Sequence, residues 1–452
     1  MDDVARPSSF PRAVDLARGR VPPAAGIAFK PYWWDAAPPP TDTAQLPTET
    51  DVAIVGSGFT GLSAALTLLR GGRRCVILER DVPGYGASTR NGGQIGTGNQ
   101  KFNVEDLASE RGGGKALELL QEGKRILDYI EHVITTETIA CHFRRCGRFR
   151  GAMRPNHYER LARTMDDLKK AIGLESFMVS RAEQHQEIGS DLFFGGTVIV
   201  NDASLHPGLY HAGLMARIGE AGGTIVGNAG VTGISRRGQG YRLVTAAGEI
   251  KCRDVIIATD GYTDKLIPQL ERRIVPITSA LIATGEIPEA AFAKLLPKNR
   301  VYGNTNRVFS YFRTAPGERR IIWGGRGARF GADNSAQSYS HLARDMLRAF
   351  PELKEVPITH AWGGLIGQTY DGVPHIGRTA EGVHFALGYC GNAGVSRATY
   401  FGHKAALKLL SDPEGRTAFD ELTFPSFPAQ PVAKRVVPVV EAWMSLRDKW
   451  NF

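Results

Sequence analysis

The sequence predicts a two-domain α/β protein in which a parallel sheet flanked by helices is joined to a second, mostly antiparallel sheet. Three observations support this fold class. The apolar run 52–55 precedes a glycine-rich turn and a helical pattern, and a second apolar run, 254–259, appears late in the chain. Both runs have the composition of strands that are buried on both faces of a parallel sheet. Between residues 274 and 362, apolar side chains instead alternate with the period of two that is typical of antiparallel strands.

The glycines that follow the first strand form a G-x-G-x-x-G motif at Gly56, Gly58 and Gly61. Such a motif is weak evidence in isolation, but this one follows a predicted strand and opens a predicted helix. Gly56 permits the tight turn, Gly58 allows a pyrophosphate to approach the backbone, and Gly61 allows the helix to pack on the strand. The motif predicts a dinucleotide-binding site; the alternative is an α/β turn that is rich in glycine by chance.

The helix that begins at Phe59 and Thr60 supplies the anion site, because its first N–H groups are unpaired and its dipole is positive there. The strand 75–78 follows and ends at Glu79. This acid lies about 20 residues after the motif, which is the usual separation for the acid that binds the ribose. We therefore predict that Glu79, with Arg80 beside it, contacts the adenosine end of the dinucleotide.

Length and composition are those of a globular protein with more than one core. The chain has 452 residues and a net charge of +9, and a chain of this length exceeds a single hydrophobic core. The basic residues form scattered pairs, so we expect no nucleic-acid partner, although the positive charge favours an anionic substrate. Five cysteines without a C-x-x-C pair favour a reduced, cytoplasmic setting, and no signal peptide, membrane span or metal-spaced cluster is found.

The chain is predicted to leave the nucleotide-binding domain and to return to it. We assign the nucleotide-binding domain to residues 51–150, 195–262 and 363–411, the substrate domain to residues 151–194 and 263–362, and a C-terminal tail to residues 412–452. Residues 1–50 are rich in proline and contain the aromatic cluster Tyr32, Trp33 and Trp34. We predict that this N-terminal segment is an arm laid over the folded body and anchored by its tryptophans; the alternative is a disordered tail.

Three further segments have the small residues that a flat ring and a phosphate chain require. The first, residues 86–94, contributes Ala87, Ser88, Arg90, Asn91, Gly92, Gly93 and Gln94, of which Ser88 and Arg90 suit a phosphate. The second, residues 228–231, offers the backbone around Val231 to an adenine. The third, residues 388–395, is a glycine turn that opens a helix and contributes Gly391, Asn392, Gly394 and Val395.

In this order, the motifs resemble the D-amino-acid/glycine/sarcosine oxidase family of FAD enzymes over roughly residues 50–411, and its γ-glutamylputrescine oxidase-type members most of all. The matching stretches are VGSGFTGLSAAL (55–66), GYGASTRNGGQI (84–95), SLHPG (204–208), DVIIATDGYT (254–263), WGG (362–364), DGVPHIGR (371–378) and GYCGNAGV (388–395). The resemblance implies a glutathione-reductase-like Rossmann domain that binds FAD, with Gly364 among its contacts, and a second domain whose sheet covers the flavin. It implies oxidation of a C–N bond in an amine or amino acid, by hydride transfer to flavin N5 and hydrolysis of the imine, with O2 as the usual acceptor.

The chain departs from the family at positions that concern the acceptor. Sarcosine-oxidase-type members carry a lysine just past the late glycine turn, near the place where oxygen reacts, and this chain has Ser396 there, followed by Arg397. The absence of this lysine makes a second activity an alternative to that of an oxidase: a dehydrogenase that passes electrons to a quinone or flavoprotein. A flavin-binding subunit without turnover of its own is a further alternative. Residues that tether FAD in some relatives are missing, so we expect FAD to be noncovalent; the oligomeric state is not predicted.

Candidate substrate contacts lie on the predicted antiparallel sheet. Trp362 stands where relatives with small substrates often place a carboxylate-binding arginine, so we expect it to form an aromatic wall for a longer substrate. Arg326 is expected to bind a remote carboxylate, and His360 to accept a proton from the substrate ammonium. The alternatives are a core tryptophan, a surface arginine and a structural histidine, respectively.

Overall fold

The structure is a computed structural model that describes residues 10–21, 26–99, 104–327, 335–391 and 393–428, together with Val439, Trp443, Met444, Arg447 and Asp448. Asn392, which was predicted to contact the cofactor, lies outside the described residues. Within the described part of the chain, no helix is long and apolar enough to cross a bilayer. None of the five cysteines, all of which the structure describes, forms a disulfide bond.

The helices and strands alternate along the chain. The strands are β1 (Glu49–Val55), β2 (Cys75–Leu78), β3 (Gln94–Ile95), β4 (Arg144–Arg145), β5 (Arg148–Gly151), β6 (Ser176–Val179), β7 (Gly196–Ile199), β8 (Ala203–Ser204), β9 (Thr224–Val226), β10 (Val231–Arg237), β11 (Gly240–Thr245), β12 (Gly248–Ile257), β13 (Val275–Thr284), β14 (Val301–Asn304), β15 (Tyr311–Thr314), β16 (Ile321–Arg326), β17 (Ile358–Gln368), β18 (His375–Arg378) and β19 (His384–Leu387). The helices are α1 (Ala13–Ala17), α2 (Phe59–Arg70), α3 (Val104–Arg111), α4 (Gly113–Thr136), α5 (Pro155–Ile172), α6 (Pro207–Glu220), α7 (Pro268–Glu271), α8 (Glu289–Leu295), α9 (Ala336–Ala349) and α10 (Gly394–Leu409).

The first sheet has the order β10-β11-β12-β1-β2-β9, with β19 paired to β12 and β18 paired to β19. β1 is parallel to both β2 and β12, and β2 is parallel to β9. Strand β2 is fully buried, and so are residues 52–55 of β1 and 255–257 of β12, as their apolar sequence predicts. The carboxyl ends of β1 and β12 therefore meet at one edge, where ligands bind in sheets of this kind.

Helices α2 and α10 pack closely against each other beneath this edge. A Cβ atom at Gly402 of α10 would lie 2.2 Å from the carbonyl oxygen of Thr60 in α2, so only glycine permits this approach. The hydroxyl of Ser63 donates to the carbonyl of Thr399 at 2.6 Å and joins the same two helices. The start of α2 and the start of α10 are thereby held side by side.

The second sheet has the order β17-β13-β16-β15-β14-β5-β7-β6 and is antiparallel except between β14 and β5. Its core contains a stack of aromatic rings in which Phe312 lies between Tyr302 and Trp323, with ring centroids 5.1 and 4.3 Å apart. The predicted fold class, a Rossmann-type parallel sheet joined to a mostly antiparallel one, is therefore confirmed.

The sheets divide the chain differently from the predicted domain limits. Strands β5 and β7, which the sequence assigned to the nucleotide-binding domain, belong to the second sheet, because Phe149 and Val198 are buried in its core. Strand β17 stays in the second sheet as far as Gln368. The helical stretch between residues 104 and 136 is interrupted at Gly112, which adopts a φ of +82° between α3 and α4.

The N-terminal segment lies along the second sheet. Its residues 26–37, here called the tryptophan arm, run beside β17, where the Ala28 N–H donates to the carbonyl of Thr359 at 2.9 Å and the Ala361 N–H donates to the carbonyl of Ala28 at 3.1 Å. Trp33 is fully buried and packs with Leu281 and Trp362 in one apolar cluster.

We expect the stability of the protein to fall on acidification partly because of His206. The Nδ1 atom of His206 caps α6 by accepting the Leu209 N–H at 3.1 Å, which requires an unprotonated ring nitrogen. Burial, helped by Arg313 and His142, lowers the pKa of His206 from 6.5 to about 4. The unfolded chain therefore binds a proton below pH 6.5 that the folded chain does not bind until about pH 4, so the free energy of unfolding falls across this window.

The variant His206→Asn tests this assignment, because asparagine also caps helices but does not titrate. The expected result is a shallower decline in the free energy of unfolding between pH 7 and pH 5, measured by chemical denaturation. An unchanged slope would show that other groups dominate the acid response.

Candidate functional site: a cavity between the two sheets

A single cavity of about 400 Å³ runs from the edge of the first sheet to the face of the second sheet. At one end it is lined by the loops that follow β1, β2 and β12, and at the other end by residues of β5, β14, β15 and β16. The late glycine turn and the start of α10 also line the cavity. Every glycine-rich segment that was predicted from the sequence to contact the cofactor therefore contributes residues to the cavity lining.

The three glycines of the motif have distinct structural roles. Gly56 has a φ of +105°, and a Cβ atom there would lie 2.9 Å from the Ala258 carbonyl oxygen. A Cβ atom at Gly61 would lie 2.0 Å from the Gly56 carbonyl oxygen. At Gly58, by contrast, a Cβ atom would meet only Ser88 Oγ, at 3.0 Å. Gly56 and Gly61 are thus required by packing, whereas Gly58 keeps the N-terminus of α2 open, as a bound pyrophosphate requires.

Glu79 is held in place at the end of β2. Its Oε2 atom accepts from the Ser57 N–H at 2.9 Å and from the Ser57 hydroxyl at 2.6 Å, and its Oε1 atom accepts from the Asp81 N–H at 3.1 Å. Glu79 lines the cavity together with Arg80 and Val231. A carboxylate that is fixed in this way next to the glycine motif suits the hydroxyls of a ribose.

Residues 86–94, here called the cofactor loop, cross from the first sheet to the second. Ser88 Oγ accepts from the Phe59 N–H at 2.9 Å, which places Ser88 at the N-terminus of α2. Arg90, predicted to contact phosphate, donates instead to the carbonyls of Tyr85 at 2.6 Å and Gly363 at 3.0 Å. Ser88 is therefore the better placed of the two residues for the anion.

The late glycine turn is tied to the first sheet by Asp260, a residue that sequence reasoning missed. Asp260 Oδ1 accepts from the N–H groups of Gly388 at 2.8 Å and Tyr389 at 3.3 Å, and Oδ2 accepts from the Gly367 N–H at 3.2 Å. Burial raises the pKa of Asp260. Its position directly after the strand 254–259 was the signal that could have identified it.

Most of the residues that were predicted to contact the cofactor line the cavity. These are Gly56, Gly58, Phe59, Thr60, Glu79, Arg80, Ala87, Ser88, Arg90, Asn91, Gly92, Gln94, Val231, Gly364, Gly391, Gly394 and Val395. Gly61 and Gly93 do not line it, because both face backbone: a Cβ atom at Gly93 would lie 2.2 Å from the Leu205 carbonyl oxygen.

The second-sheet end of the cavity is basic. Arg148, Arg150 and Arg326 line it, of which only Arg326 was predicted. Arg148 Nε is paired with Asp202 Oδ2 at 2.5 Å. Burial, together with the neighbouring charges of Arg148 and Arg160, lowers the pKa of Arg150 to about 10, so its guanidinium is still charged at neutral pH. The alternation of arginine with the core residue Phe149 in β5 was the sequence signal for this pair.

Tyr311 is a second residue that sequence reasoning missed. Its hydroxyl lies 3.0 Å from Ser279 Oγ, and burial raises its pKa. A Cβ atom at Gly92 would lie 2.8 Å from the Tyr311 ring, so this glycine lets the cofactor loop approach the ring. Tyr311 therefore provides the aromatic surface where the cofactor loop meets the second sheet.

Trp362 and His360 lie outside this cavity, which corrects their predicted substrate roles. Trp362 is only 1% exposed, because it packs against Trp33 of the tryptophan arm. His360 is buried as well, and its Nε2 atom lies 3.1 Å from Asp35 Oδ2. Both side chains lie on the face of β17 that the arm covers. The alternation of residues along the strand did not reveal that this face would be covered.

Ser396 also lies outside the cavity. Its side chain is fully buried, and its hydroxyl donates to the carbonyls of Gly96 at 3.0 Å and Ala393 at 3.1 Å. Its neighbour Arg397 is 2% exposed and does not line the cavity either. The first turn of α10 thus reaches the cavity through Gly394 and Val395.

Comparison with known proteins identifies the family to which these features correspond. A family model described as FAD dependent oxidoreductase (DAO) matches residues 51–406. The chain is 29% identical to the "Probable oxidoreductase OrdL" of Haemophilus influenzae over 83% of this chain and 86% of that protein. It is also 29% identical to the gamma-glutamylputrescine oxidoreductase of Escherichia coli, over 91% of this chain and 95% of that protein.

Solved structures share the fold. Glycine oxidase from Geobacillus kaustophilus superposes with a TM-score of 0.70 at 20% identity, covering 84% of this chain and 99% of that chain. L-proline dehydrogenase from P. horikoshii superposes with a TM-score of 0.66 at 18% identity, covering 83% and 96% respectively. At these identities the likeness establishes the fold.

Proposed function

The chain belongs to the DAO family of FAD-dependent oxidoreductases, and from this premise we propose that it oxidises a C–N bond in an amine that carries a carboxylate, with a γ-glutamylputrescine-like compound as the favoured substrate. The family assignment supports the coarser activity on amines or amino acids. FAD, when bound, would supply the acceptor for the hydride of the carbon next to the substrate nitrogen. The residues of this chain bind the two molecules and orient them.

The basic end of the cavity is the observation that carries the proposal. Arg148, Arg150 and Arg326 line the cavity from the second sheet. The acidic residues that line the cavity, among those that the structure describes, are Glu79, Asp81, Asp260 and Asp264, and all of them follow strands of the first sheet. The charge distribution therefore favours a substrate whose anionic end lies on the second sheet, remote from the nucleotide.

Polar groups without charge also line the cavity from the second sheet. Asn304, Asn306 and Ser279 contribute them, together with the rings of Phe309 and Tyr311. Amide and hydroxyl groups suit the amide of a γ-glutamyl linkage, and the rings suit a short alkyl chain. These residues would bind and orient a substrate of extended shape.

The cofactor is proposed to be held without a covalent bond. Cys390, the cysteine that lines the cavity, directs its Sγ atom toward Thr369 Oγ1 at 3.2 Å and the Gly388 carbonyl at 3.1 Å. The FAD would be held by the N-terminus of α2 with Gly58 and Ser88, by Glu79, and by the turn at the start of α10.

A dehydrogenase with a quinone or flavoprotein acceptor is the second candidate function. Ser396 supports it, because this residue is uncharged and buried outside the cavity, so the chain offers the cavity no positive charge from this position that would favour the reduction of O2. A flavin-binding subunit without turnover is less consistent with a cavity that extends past the cofactor loop to three arginines.

Anaerobic reduction of the flavin tests the proposal. The purified holoenzyme is mixed with γ-glutamylputrescine, putrescine, sarcosine and proline, and bleaching of the flavin absorbance is followed. We expect γ-glutamylputrescine to bleach the flavin faster than putrescine, which lacks the carboxylate. Equal bleaching by both amines would refute the carboxylate assignment, and the absence of bleaching by any amine would favour the subunit alternative.

The reduced enzyme then identifies the acceptor. It is mixed with air-saturated buffer or with a quinone dye, and the return of the flavin absorbance is timed. We expect slow reoxidation in air and fast reoxidation by the dye. Rapid reoxidation in air with stoichiometric peroxide would establish an oxidase instead.

A further inference from the structure

We propose that the tryptophan arm is part of the cofactor site, and that Trp33 and Trp34 are positioning residues that hold the cofactor loop in the shape that binds FAD. The proposal starts from one juxtaposition, in which three indole N–H groups meet three successive residues of the loop. The three hydrogen bonds are Trp34 Nε1 to Thr89 Oγ1 at 2.8 Å, Trp362 Nε1 to Arg90 O at 2.9 Å, and Trp33 Nε1 to Asn91 O at 2.8 Å.

These bonds constrain residues that themselves line the cavity. Arg90 and Asn91 both line it, and Ser88, which meets the N-terminus of α2, lies one residue before Thr89. The Asn91 side chain continues the restraint, since its Nδ2 donates to the Ser88 carbonyl at 2.7 Å and its Oδ1 accepts from the Gly93 N–H at 2.8 Å. A shift of the indoles would therefore move the loop that faces the cofactor.

The indole is well suited to this role because it is a rigid, apolar body with one directional donor. Trp33 and Trp362 are buried, so the hydrogen bonds that they donate to the carbonyls of Asn91 and Arg90 are partly shielded from water. Replacing either indole with a ring that lacks the N–H leaves a carbonyl without this donor, and an unsatisfied buried acceptor destabilises the arrangement that contains it.

Trp34 also fixes the side chain of Arg90. The Arg90 guanidinium carbon lies 4.7 Å from the centroid of the Trp34 ring and 4.4 Å from that of Tyr85, so the cation contacts both aromatic rings. The same guanidinium donates to the Gly363 carbonyl of β17 at 3.0 Å. Trp34 therefore joins the arm, the loop and the second sheet at one side chain.

The arm can act as a fixed reference because it is anchored independently of the loop. Ala28 pairs with β17 through its backbone, and Asp35 is paired with Lys30 at 2.6 Å and with His360 at 3.1 Å. The hydroxyl of Tyr32 donates to Glu318 beside β16. Lys30 lies in the arm itself, but the other partners lie on β17 or just before β16 of the second sheet, whereas the start of the cofactor loop contacts α2 on the first sheet.

The proposal is tested with Trp33→Phe and Trp34→Phe, each measured for FAD affinity rather than for turnover. Apoprotein is titrated with FAD, and the dissociation constant is taken from the quenching of flavin fluorescence. We expect each variant to raise the dissociation constant roughly 3- to 10-fold, which corresponds to the loss of one net hydrogen bond. The fine structure of the visible flavin spectrum should broaden in both variants.

Trp323→Phe is the matched control. Trp323 is also buried in an aromatic cluster, but its indole nitrogen has no hydrogen-bond partner among the residues that the structure describes. This variant is expected to cost some stability while the FAD dissociation constant and the flavin spectrum stay as in the wild type. If Trp323→Phe weakens FAD binding as much as Trp33→Phe does, or if both arm variants bind FAD normally, the arm is merely structural.

A measurement on the unmutated protein covers the case in which a variant does not fold. Because coupling between two sites is reciprocal, a loop that the arm stabilises must in turn stabilise the arm when FAD binds. Hydrogen exchange of residues 26–37 is therefore expected to be slower in the holoenzyme than in the apoprotein. Equal exchange in the two forms would overturn the proposal while leaving the family assignment intact.

Discussion

Gly58→Val is expected to produce a folded, colourless apoprotein. Gly58 has a φ of −71° and a ψ of 176°, which any residue adopts, so a side chain there does not strain the backbone. A Cβ atom at this position would meet Ser88 Oγ at 3.0 Å and otherwise enter the cavity at the N-terminus of α2. The valine methyl groups would occupy the space that a pyrophosphate needs, so FAD affinity should fall by roughly 100-fold.

The measurement is the ratio of flavin to protein absorbance after gel filtration, with circular dichroism to show that the fold is kept. Gly114→Val is the control, because a Cβ atom at Gly114, at the start of α4, would meet nothing within 4 Å. The control should retain FAD. A yellow Gly58→Val protein would place the pyrophosphate elsewhere.

Arg150→Met is expected to lower kcat/KM for a carboxylate-bearing amine by roughly 10- to 150-fold, the range for a lost hydrogen bond to a charged group. Arg150 lines the basic end of the cavity, and its guanidinium is charged at neutral pH although burial lowers its pKa to about 10. Methionine keeps much of the volume and removes the charge. The FAD dissociation constant should not change, because Arg150 belongs to the second sheet.

Two comparisons isolate the effect of the charge. Arg163→Met, on the exposed side of α5, removes the same charge from the surface and should leave kcat/KM unchanged. With an amine that has no carboxylate, Arg150→Met and the wild type should differ little. An equal loss for both amines would mean that Arg150 supports the cavity rather than the carboxylate.

The nucleotide half of the site could be predicted residue by residue because its chemistry is local. Gly56, Gly58 and Glu79 lie within one strand-helix-strand unit, where the backbone geometry sets both the spacing and the role of each residue. The same applies to the turn before α10, where Gly391 and Gly394 line the cavity as expected. Where a short segment has a fixed backbone conformation, the function of its residues can therefore be predicted from the sequence.

The substrate half could not be predicted in this way because it is assembled from strands that are distant in the chain. Arg150 on β5 and Arg326 on β16 face one cavity only because β14 and β15 lie between those strands in the second sheet. Trp362 and His360 were expected at the substrate and are instead covered by the tryptophan arm. The alternation of side chains along a strand defines the two faces of the sheet. It does not show which of these faces is covered by a segment from elsewhere in the chain.

The sequence alone thus determined the parallel sheet, the dinucleotide motif, the family and the cofactor, since each can be recognised from the composition of short segments of chain. Only the tertiary structure decided the register of the second sheet, the basic end of the cavity and the contacts of Trp33 and Trp34 with the cofactor loop. These features depend on pairing between segments far apart in the chain. Such pairing is selected by the burial of whole faces and the satisfaction of buried polar groups, which are properties of the assembled fold and not of any one segment.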